Sequence, residues 1–339
     1  MTATALTLRD RPTSVFIAEA IEQEMELDDR IVVLGEDVGA MGGVYGATRN
    51  LQKRFGNKRV RDTPIAEMAF TGMAVGMAMA GLRPVVEIMF ADFIGVCLEQ
   101  IYNAAAKIPY MSGGEVRMPI AFKTAAGCEG SAAQHSQCMW GLIAHLPGIR
   151  VVVPSSPYES KGMMAAAIAC DDPVIVFEHK QLLVRKASSF RNGASVPRER
   201  YHVSLDSAHI VRPGRDITIA TLSSMVEESL DAAEQLAVDG IDCEVVDIRS
   251  LVPLDIQTIF ESATRTGRLL VVDEDYLSFG LTGELVTRIV ERGGLAGISA
   301  LKRHAVPDVP IPAAASLERA VIPAAGSIMH EVRTMLGAS

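Results

Sequence analysis

The sequence predicts a two-domain α/β protein built on parallel sheets, and three observations carry that expectation. Strand-like and helix-like stretches alternate along the whole chain. Candidate strands such as Ile31-Val-Val-Leu and Val174-Ile-Val-Phe are apolar on both faces, as a parallel sheet covered by helices requires. A polar, turn-rich stretch at 185–209 separates two such series. The length, 339 residues, suits two domains better than one. The expected division is a domain over 1–184, a linker over 185–209 and a smaller domain over 210–339.

The first series reads helix 14–26, strand 31–38, helix 65–80, strand 84–89, helix 93–107, strands 119–124 and 150–154, helix 158–169 and strand 173–178. For the helix at 65–80, the Thr63 hydroxyl is placed to cap the start and Pro64 suits the first position. Gly81 suits its end. The second series reads strand 217–223, helix 225–239, strand 243–249, helix 255–265, strand 268–273, helix 282–292 and strand 301–305. A last helix is expected near 326–336. The acidic run Asp273-Glu-Asp275 follows a strand, at the edge where open α/β sheets place ligands or partners. As a solvated turn it would need no function.

Nearly half of the residues, 49%, are hydrophobic, enough for sizeable cores. A formal charge of −9 argues against general nucleic-acid binding, which needs a basic face. No apolar run reaches the roughly 18–20 residues of a membrane-spanning helix. The tail MTATALTLRDRP lacks the apolar core of a secretory signal. Five cysteines (97, 128, 138, 170 and 243) show no metal-ligand spacing, and a reducing cytoplasm fits them.

The segment 62–81, DTPIAEMAFTGMAVGMAMAG, is the most informative in the chain. Glu67 is one carboxylate at the mouth of an otherwise apolar helix. Small residues (Ala66, Ala69, Gly72, Ala74, Gly76, Ala78, Ala80) let another backbone or a ligand come close. Burying a carboxylate there opposes its ionisation unless something needs it. The plain alternative is that Glu67 only complements the helix dipole from the first turn.

Five long motifs stand in a fixed order: DTPIAE at 62–67, GLRPVVEIMFADF at 81–93, NAAAKIPYMSGG at 103–114, AAQHSQ at 132–137 and HLPGIRVVVPSSPYESKG at 145–162. In this order they resemble the β subunit of the thiamine-diphosphate-dependent 2-oxo acid and acetoin dehydrogenases. The resemblance runs from about Thr13 to the last helix. It implies a pyrimidine-binding domain followed by a transketolase C-terminal-like domain. It also implies that Glu67 hydrogen-bonds the aminopyrimidine of thiamine diphosphate and favours its imino form. Phe93 matches the aromatic that packs on that ring, and Ile65 is expected to line the same pocket. His135 is implied in substrate binding or acyl transfer to a lipoyl group; His145 and His179 have weaker claims.

What is missing matters equally. A Gly-Asp-Gly motif, which in such enzymes holds the diphosphate through Mg²⁺, is absent, and Gly35-Glu36-Asp37 is only superficially similar. Neither GxxxxGK[ST] nor GxGxxG occurs. The chain thus resembles half an active site, with Mg²⁺ held mainly by a separate α subunit in a two-α-two-β heterotetramer. A lipoyl-bearing acyltransferase is the further partner implied; nucleic acid and membrane are not.

Two departures stand out. The resemblance sets the loop 122–130 about one residue shorter than in pyruvate types. Where relatives carry an acid of a structural potassium site, this chain has Cys170, a poor ligand for a hard cation. Asp171 or Asp172 could replace it only if the loop shifts, so no metal is assigned to the chain. The segments 87–107 and 176–183 look more like acetoin enzymes than pyruvate ones, and Met89 and Phe90 would give an apolar wall suited to an uncharged hydroxyketone. Pyruvate and branched-chain 2-oxo acids remain alternatives. So do a non-catalytic subunit that docks the acyltransferase and half of a split transketolase acting on sugar phosphates. Glu67 and His135 speak against a pure scaffold, and no obvious Arg/His cluster offers itself to a sugar phosphate.

Overall fold

The computed structural model describes residues 9–191 and 195–337. The chain forms two compact units, one from Met1–Ala126 with Ile143–Leu205, the other from Gly127–Leu142 with Asp206–Ser339.

The first unit opens with α1 (Thr13–Leu27), β1 (Ile31–Gly35), α2 (Leu51–Phe55), β2 (Val60–Asp62), α3 (Glu67–Met79) and β3 (Arg83–Phe90). It continues through α4 (Ile94–Glu99), α5 (Ile108–Met111) and β4 (Ala121–Ala126). After α6 (Trp140–Ala144), whose first three residues belong to the second unit, come β5 (Arg150–Val152), α7 (Pro157–Ala169), β6 (Val174–His179) and α8 (Lys180–Val184). Its strands run in the order β5-β6-β4-β3-β1-β2, all parallel. Residues of β1, β4 and β6 are buried along their whole length, as two-sided apolar strands demand. Phe16, Ile17, Ala20, Ile21 and Met25 bury one face of α1, which packs on α7. The stretch 185–205, expected as the start of a linker, packs with this unit. Phe190 and Val196 are buried, and the Lys161 ammonium bonds the carbonyls of Pro197 and Glu199 at 2.7 and 3.0 Å.

The second unit contains β7 (His209–Arg212), β8 (Ile217–Thr221), α9 (Met225–Val238), β9 (Cys243–Asp247), β10 (Ser250–Val252), α10 (Ile256–Thr266) and β11 (Arg268–Tyr276). It ends with α11 (Leu281–Glu291), β12 (Ala300–Val306), α12 (Ala315–Val321) and α13 (Ala325–Leu336). The sheet order is β12-β11-β8-β9-β7, parallel except for β7 against β9. Helix α10 starts where the Asp255 carboxylate accepts from the Thr258 N–H at 3.1 Å and ends at Gly267 in the left-handed conformation.

Three expectations need correction. Helix α3 begins at Glu67, two residues late, because the chain is still non-helical at Ala66 and the Thr63 hydroxyl, buried and unpartnered, does not cap it. Its end is as expected: Gly81, at φ +91°, bonds back to Ala78 while Leu82 bonds to Met77, the paired closure that a left-handed residue permits. The helix expected at 93–107 is broken into a 3₁₀ turn at Ala91–Phe93, α4, and a π-helical turn at Gln100–Ala105. Such wide turns are rare and cluster at functional sites. Finally, the acidic run is not a solvated turn. Asp273, Glu274 and Asp275 lie inside β11 and are all buried.

Candidate functional site

In the first unit the site forms between the end of β1 and the first turn of α3. Glu67 is 8% exposed at the first helical position, and its carboxylate takes no hydrogen bond from any described residue. Gly35 lets β1 end close against β3, since a Cβ there would stand 2.6 Å from the Glu87 carbonyl oxygen. The next residue, Glu36, is also buried, and its Oε1 has no partner among the described residues. Burial first, and then the charges of Glu67 and Asp37, hold the Glu36 carboxyl above the ordinary carboxylate range. Thr63, whose hydroxyl is likewise unpartnered, donates its N–H to the Gly35 carbonyl at 2.9 Å.

Cys97 connects this place to the backbone of Phe93. The Cys97 thiol donates to the Phe93 carbonyl at 3.8 Å and is pushed up to about 11, mainly by burial, with the Glu67 charge adding. The half-buried Phe93 ring meets Phe90 edge-on at 5.6 Å. Gln100, from the π-helical turn, lies where a Cβ on Gly72 of α3 would come within 3.2 Å of its side chain, and its buried Oε1 has no partner among the described residues. Buried polar atoms are normally paired, so the Glu36 and Thr63 oxygens, without partners among the described residues and close to Glu67, mark a place that fits a polar ring supplied from outside the chain. Ile65 stands just before α3 and is 84% exposed. It belongs to an open apolar stripe with Met68, Ala69, Met73, Gly76 and Met79.

His135 lies in the second unit, on the segment Gly127–Leu142. The segment closes on itself: Gly127 N–H donates to the Gln137 carbonyl at 3.3 Å, and the His135 N–H to that of Ala132 at 3.4 Å. Two non-glycine residues, Ala132 and Met139, are left-handed at φ +60° and +61°. The buried acids of β11 meet both limbs. Cys128 N–H donates to Glu274 at 2.6 Å, the Trp140 indole to Asp273 at 3.4 Å, and Gly141 N–H to Asp275 at 3.3 Å. Burial, then the Asp275 charge, pushes the Asp273 carboxyl up to about 8.

Comparison with known proteins decides the family. Residues 10–186 match the transketolase pyrimidine-binding domain and residues 206–328 the transketolase C-terminal domain. The β subunit of acetoin:2,6-dichlorophenolindophenol oxidoreductase from Cupriavidus necator is 40% identical over 333 residues, covering 95% of this chain and 96% of that protein. The pyruvate dehydrogenase E1 component subunit beta of Bacillus subtilis is 41% identical, over 87% of this chain and 90% of its own length. The 2-oxoisovalerate dehydrogenase subunit beta of the same organism is 42% identical, over 88% and 90%. This chain belongs to the β-subunit family of 2-oxo acid and acetoin dehydrogenases. A solved split-gene transketolase, described as an inactive beta4 tetramer, shares the fold with a TM-score of 0.78 at 22% identity, over 97% of this chain and 99% of that one. The dehydrogenase β-subunit family is associated with thiamine diphosphate.

Sequence reasoning about this β subunit missed several groups. Glu36 follows an apolar strand at its carboxyl edge, where open α/β sheets place functional residues, and that position was its signal. A second missed group is a buried triad. Lys123 of β4 bonds Glu87 of β3 at 2.6 Å and Glu178 of β6 at 3.3 Å. Burial pushes the Glu178 carboxyl up to about 7, with Lys123 opposing and Glu87 adding. Lys180, wholly buried, sets its ammonium 4.8 Å over the Phe90 ring. Around Cys170, the Arg83 guanidinium bonds the carbonyls of Ile168 and Cys170 and the Asp171 carboxylate, so a side-chain cation already meets these oxygens. His179 is buried at the end of β6, where its ring accepts from the Gln181 N–H at 3.2 Å.

Proposed function

We propose that the chain is the β half of a thiamine-diphosphate-dependent dehydrogenase that cleaves acetoin, or oxidatively decarboxylates a 2-oxo acid, and passes the acyl unit to lipoamide. It works with an α subunit in a two-α-two-β assembly, in which the α chain holds the diphosphate and Mg²⁺. A lipoyl-bearing acyltransferase receives the acyl unit. The observation that carries this reading is Glu67, a buried carboxylate at a helix start that takes no hydrogen bond from any described residue, near enough to Glu36 for its charge to act on that acid.

On this reading Glu67 would hold the aminopyrimidine, with Phe93 against the ring and Ile65 at its side. Thiamine diphosphate, when bound, supplies the electron sink for breaking the carbon–carbon bond. Glu67 then serves as the carboxyl that holds or passes a proton at a ring nitrogen. Glu36 keeps its proton to higher pH than a free glutamate, because burial and the nearby Glu67 and Asp37 charges oppose its ionisation. Phe93, set edge-on to Phe90, excludes water from one wall. The open stripe of Ile65, Met68 and Met73 supports a second chain covering α3. His135 acts later, in binding substrate or delivering the acyl unit.

The test is turnover of the chain assembled with its α partner, with thiamine diphosphate and Mg²⁺. Reduction of a dye with acetoin or a 2-oxo acid, and acylation of lipoamide, are expected. No cofactor-dependent turnover with any of these substrates would refute the proposal.

A further inference from the structure

The segment Gly127–Leu142 has a conformation that its own residues do not favour. Ala132 and Met139 are left-handed at φ +60° and +61°, a cost that persists only where the surroundings over-determine it. Those surroundings are four carboxylates. Glu274 of β11 accepts from the Cys128 N–H at 2.6 Å with one oxygen and from the Ser224 hydroxyl with the other. Glu318 of α12 accepts from the Gly130 N–H at 2.9 Å. Asp273 and Asp275 take the Trp140 indole and the Gly141 N–H on the returning limb. Bonds from backbone N–H groups to carboxylates are roughly twice as strong as neutral ones. His135 stands between these anchored ends, and the Cys128 thiol ties the limbs together through the Ser136 carbonyl at 3.4 Å.

We propose that Glu274 and Glu318 are positioning residues for His135, fixing its segment so that the imidazole is presented in one orientation. The proposal rests on the reading of His135 given above. Neither acid need touch substrate. Both act through the backbone at Cys128 and Gly130, five to seven residues before the histidine. A misplacement of about 1 Å at a reacting group can cost about a hundredfold in rate, which makes such anchoring consequential.

The test compares Glu318→Ala, Glu318→Gln, Glu274→Gln and His135→Ala. Hydrogen exchange on the full chain reads the segment directly. In Glu318→Ala the amides of residues 130–135 should exchange about tenfold faster, because opening is no longer opposed by the Gly130 bond. In the assembled complex the lipoamide-dependent kcat should fall about tenfold, with cofactor affinity kept. Glu318→Gln, which keeps an acceptor oxygen, should restore both. Glu274→Gln, which also keeps an oxygen for Cys128, should lie between. Unchanged exchange in Glu318→Ala overturns the proposal, as does failure of Glu318→Gln to restore. Loss of cofactor binding together with turnover would point to general unfolding and also overturn it. If His135→Ala leaves lipoamide-dependent turnover intact, the reading of His135 itself falls. If His135→Ala is impaired while Glu318→Ala is not, the positioning role alone fails.

Discussion

Glu36 and Glu67 bring two carboxyls from different elements into one another's field, Glu36 from the end of β1 and Glu67 from the first turn of α3. Burial is the largest influence on Glu36 and the Glu67 charge the next, and both raise its pKa. A like charge close by makes a carboxyl harder to ionise, and burial strengthens that opposition.

Glu67→Gln, assembled with the α chain, is expected to lose most activity and keep its fold. Glutamine preserves shape and some hydrogen bonding but cannot pass a proton, and general acid–base contributions run to about 10²–10⁴-fold. Circular dichroism checks the fold and dye-coupled turnover the activity. The same variant removes the Glu67 charge, so the Glu36 carboxyl should titrate closer to its ordinary value. Wild-type turnover, or an unmoved Glu36, would sink the pairing.

Much of this was legible before the structure, and the exceptions have physical causes. The strands at Ile31 and Val174 announce themselves by burial on both faces. Strand β7 does not, because as an edge strand it leaves His209 and Ile210 exposed and carries no apolar signature. The start of α3 was read two residues early because Thr63 and Pro64 look like a cap, whereas the threonine instead bonds β1 through its N–H. The motif alone brings Glu67 forward as a candidate. Glu36 carries only the weaker signal of its place after an apolar strand, since the Glu67 charge that acts on it lies 31 positions away in sequence. The buried acids of β11 read as a turn because their partners, the Cys128 and Gly141 amides and the Trp140 indole, are distant in the chain. The Lys123 triad depends on register, which sets Glu87 opposite Lys123 and Glu178 opposite Ala125.

That triad makes stability depend on pH. The Glu178 carboxyl is raised from 4.5 to about 7, so the folded chain holds a proton that the unfolded chain has released. The resulting stability is fully present below the unfolded value and lost as pH rises through about 7. Glu178→Gln removes this dependence, and Lys123 keeps its bond to Glu87. Urea unfolding at about pH 5 and about pH 8 should show wild type losing ground to the variant, at up to about 1.4 kcal/mol per pH unit. A difference between the two proteins that stays constant with pH would show that Glu178 titrates normally.

Cofactor binding is expected to need both chains. Among the described residues, no group of three or more His, Cys, Asp or Glu side chains is arranged to hold a metal ion. The sequence also lacks Gly-Asp-Gly. The diphosphate carries most of the charge that a protein can bind. Calorimetry should therefore show weak or no binding of thiamine diphosphate to this chain alone, and tight binding once the α chain and Mg²⁺ are added. One tight, Mg²⁺-dependent site on the isolated chain would overturn the half-site reading.

On the proposed function, the wall around Phe90 is expected to set substrate preference. Its ring meets Phe93 at 5.6 Å and Tyr45 at 6.5 Å, both edge-on, with Met89 half-buried beside it. Lys180 is wholly buried with its ammonium over the Phe90 ring, so it does not present an open charge to a substrate carboxylate. A site that recognises a 2-oxo acid needs a donor or positive charge for the carboxylate, and a missing polar partner discriminates strongly. An uncharged hydroxyketone needs none. Acetoin is therefore the expected substrate, unless the α chain brings the donor. The assembled enzyme, assayed with acetoin, pyruvate and 3-methyl-2-oxobutanoate and a dye as electron acceptor, should give its highest kcat/KM with acetoin. A higher value for either 2-oxo acid would place the carboxylate donor on the α chain and end the acetoin preference, while leaving the roles of Glu67 and Glu36 to stand on their own variants.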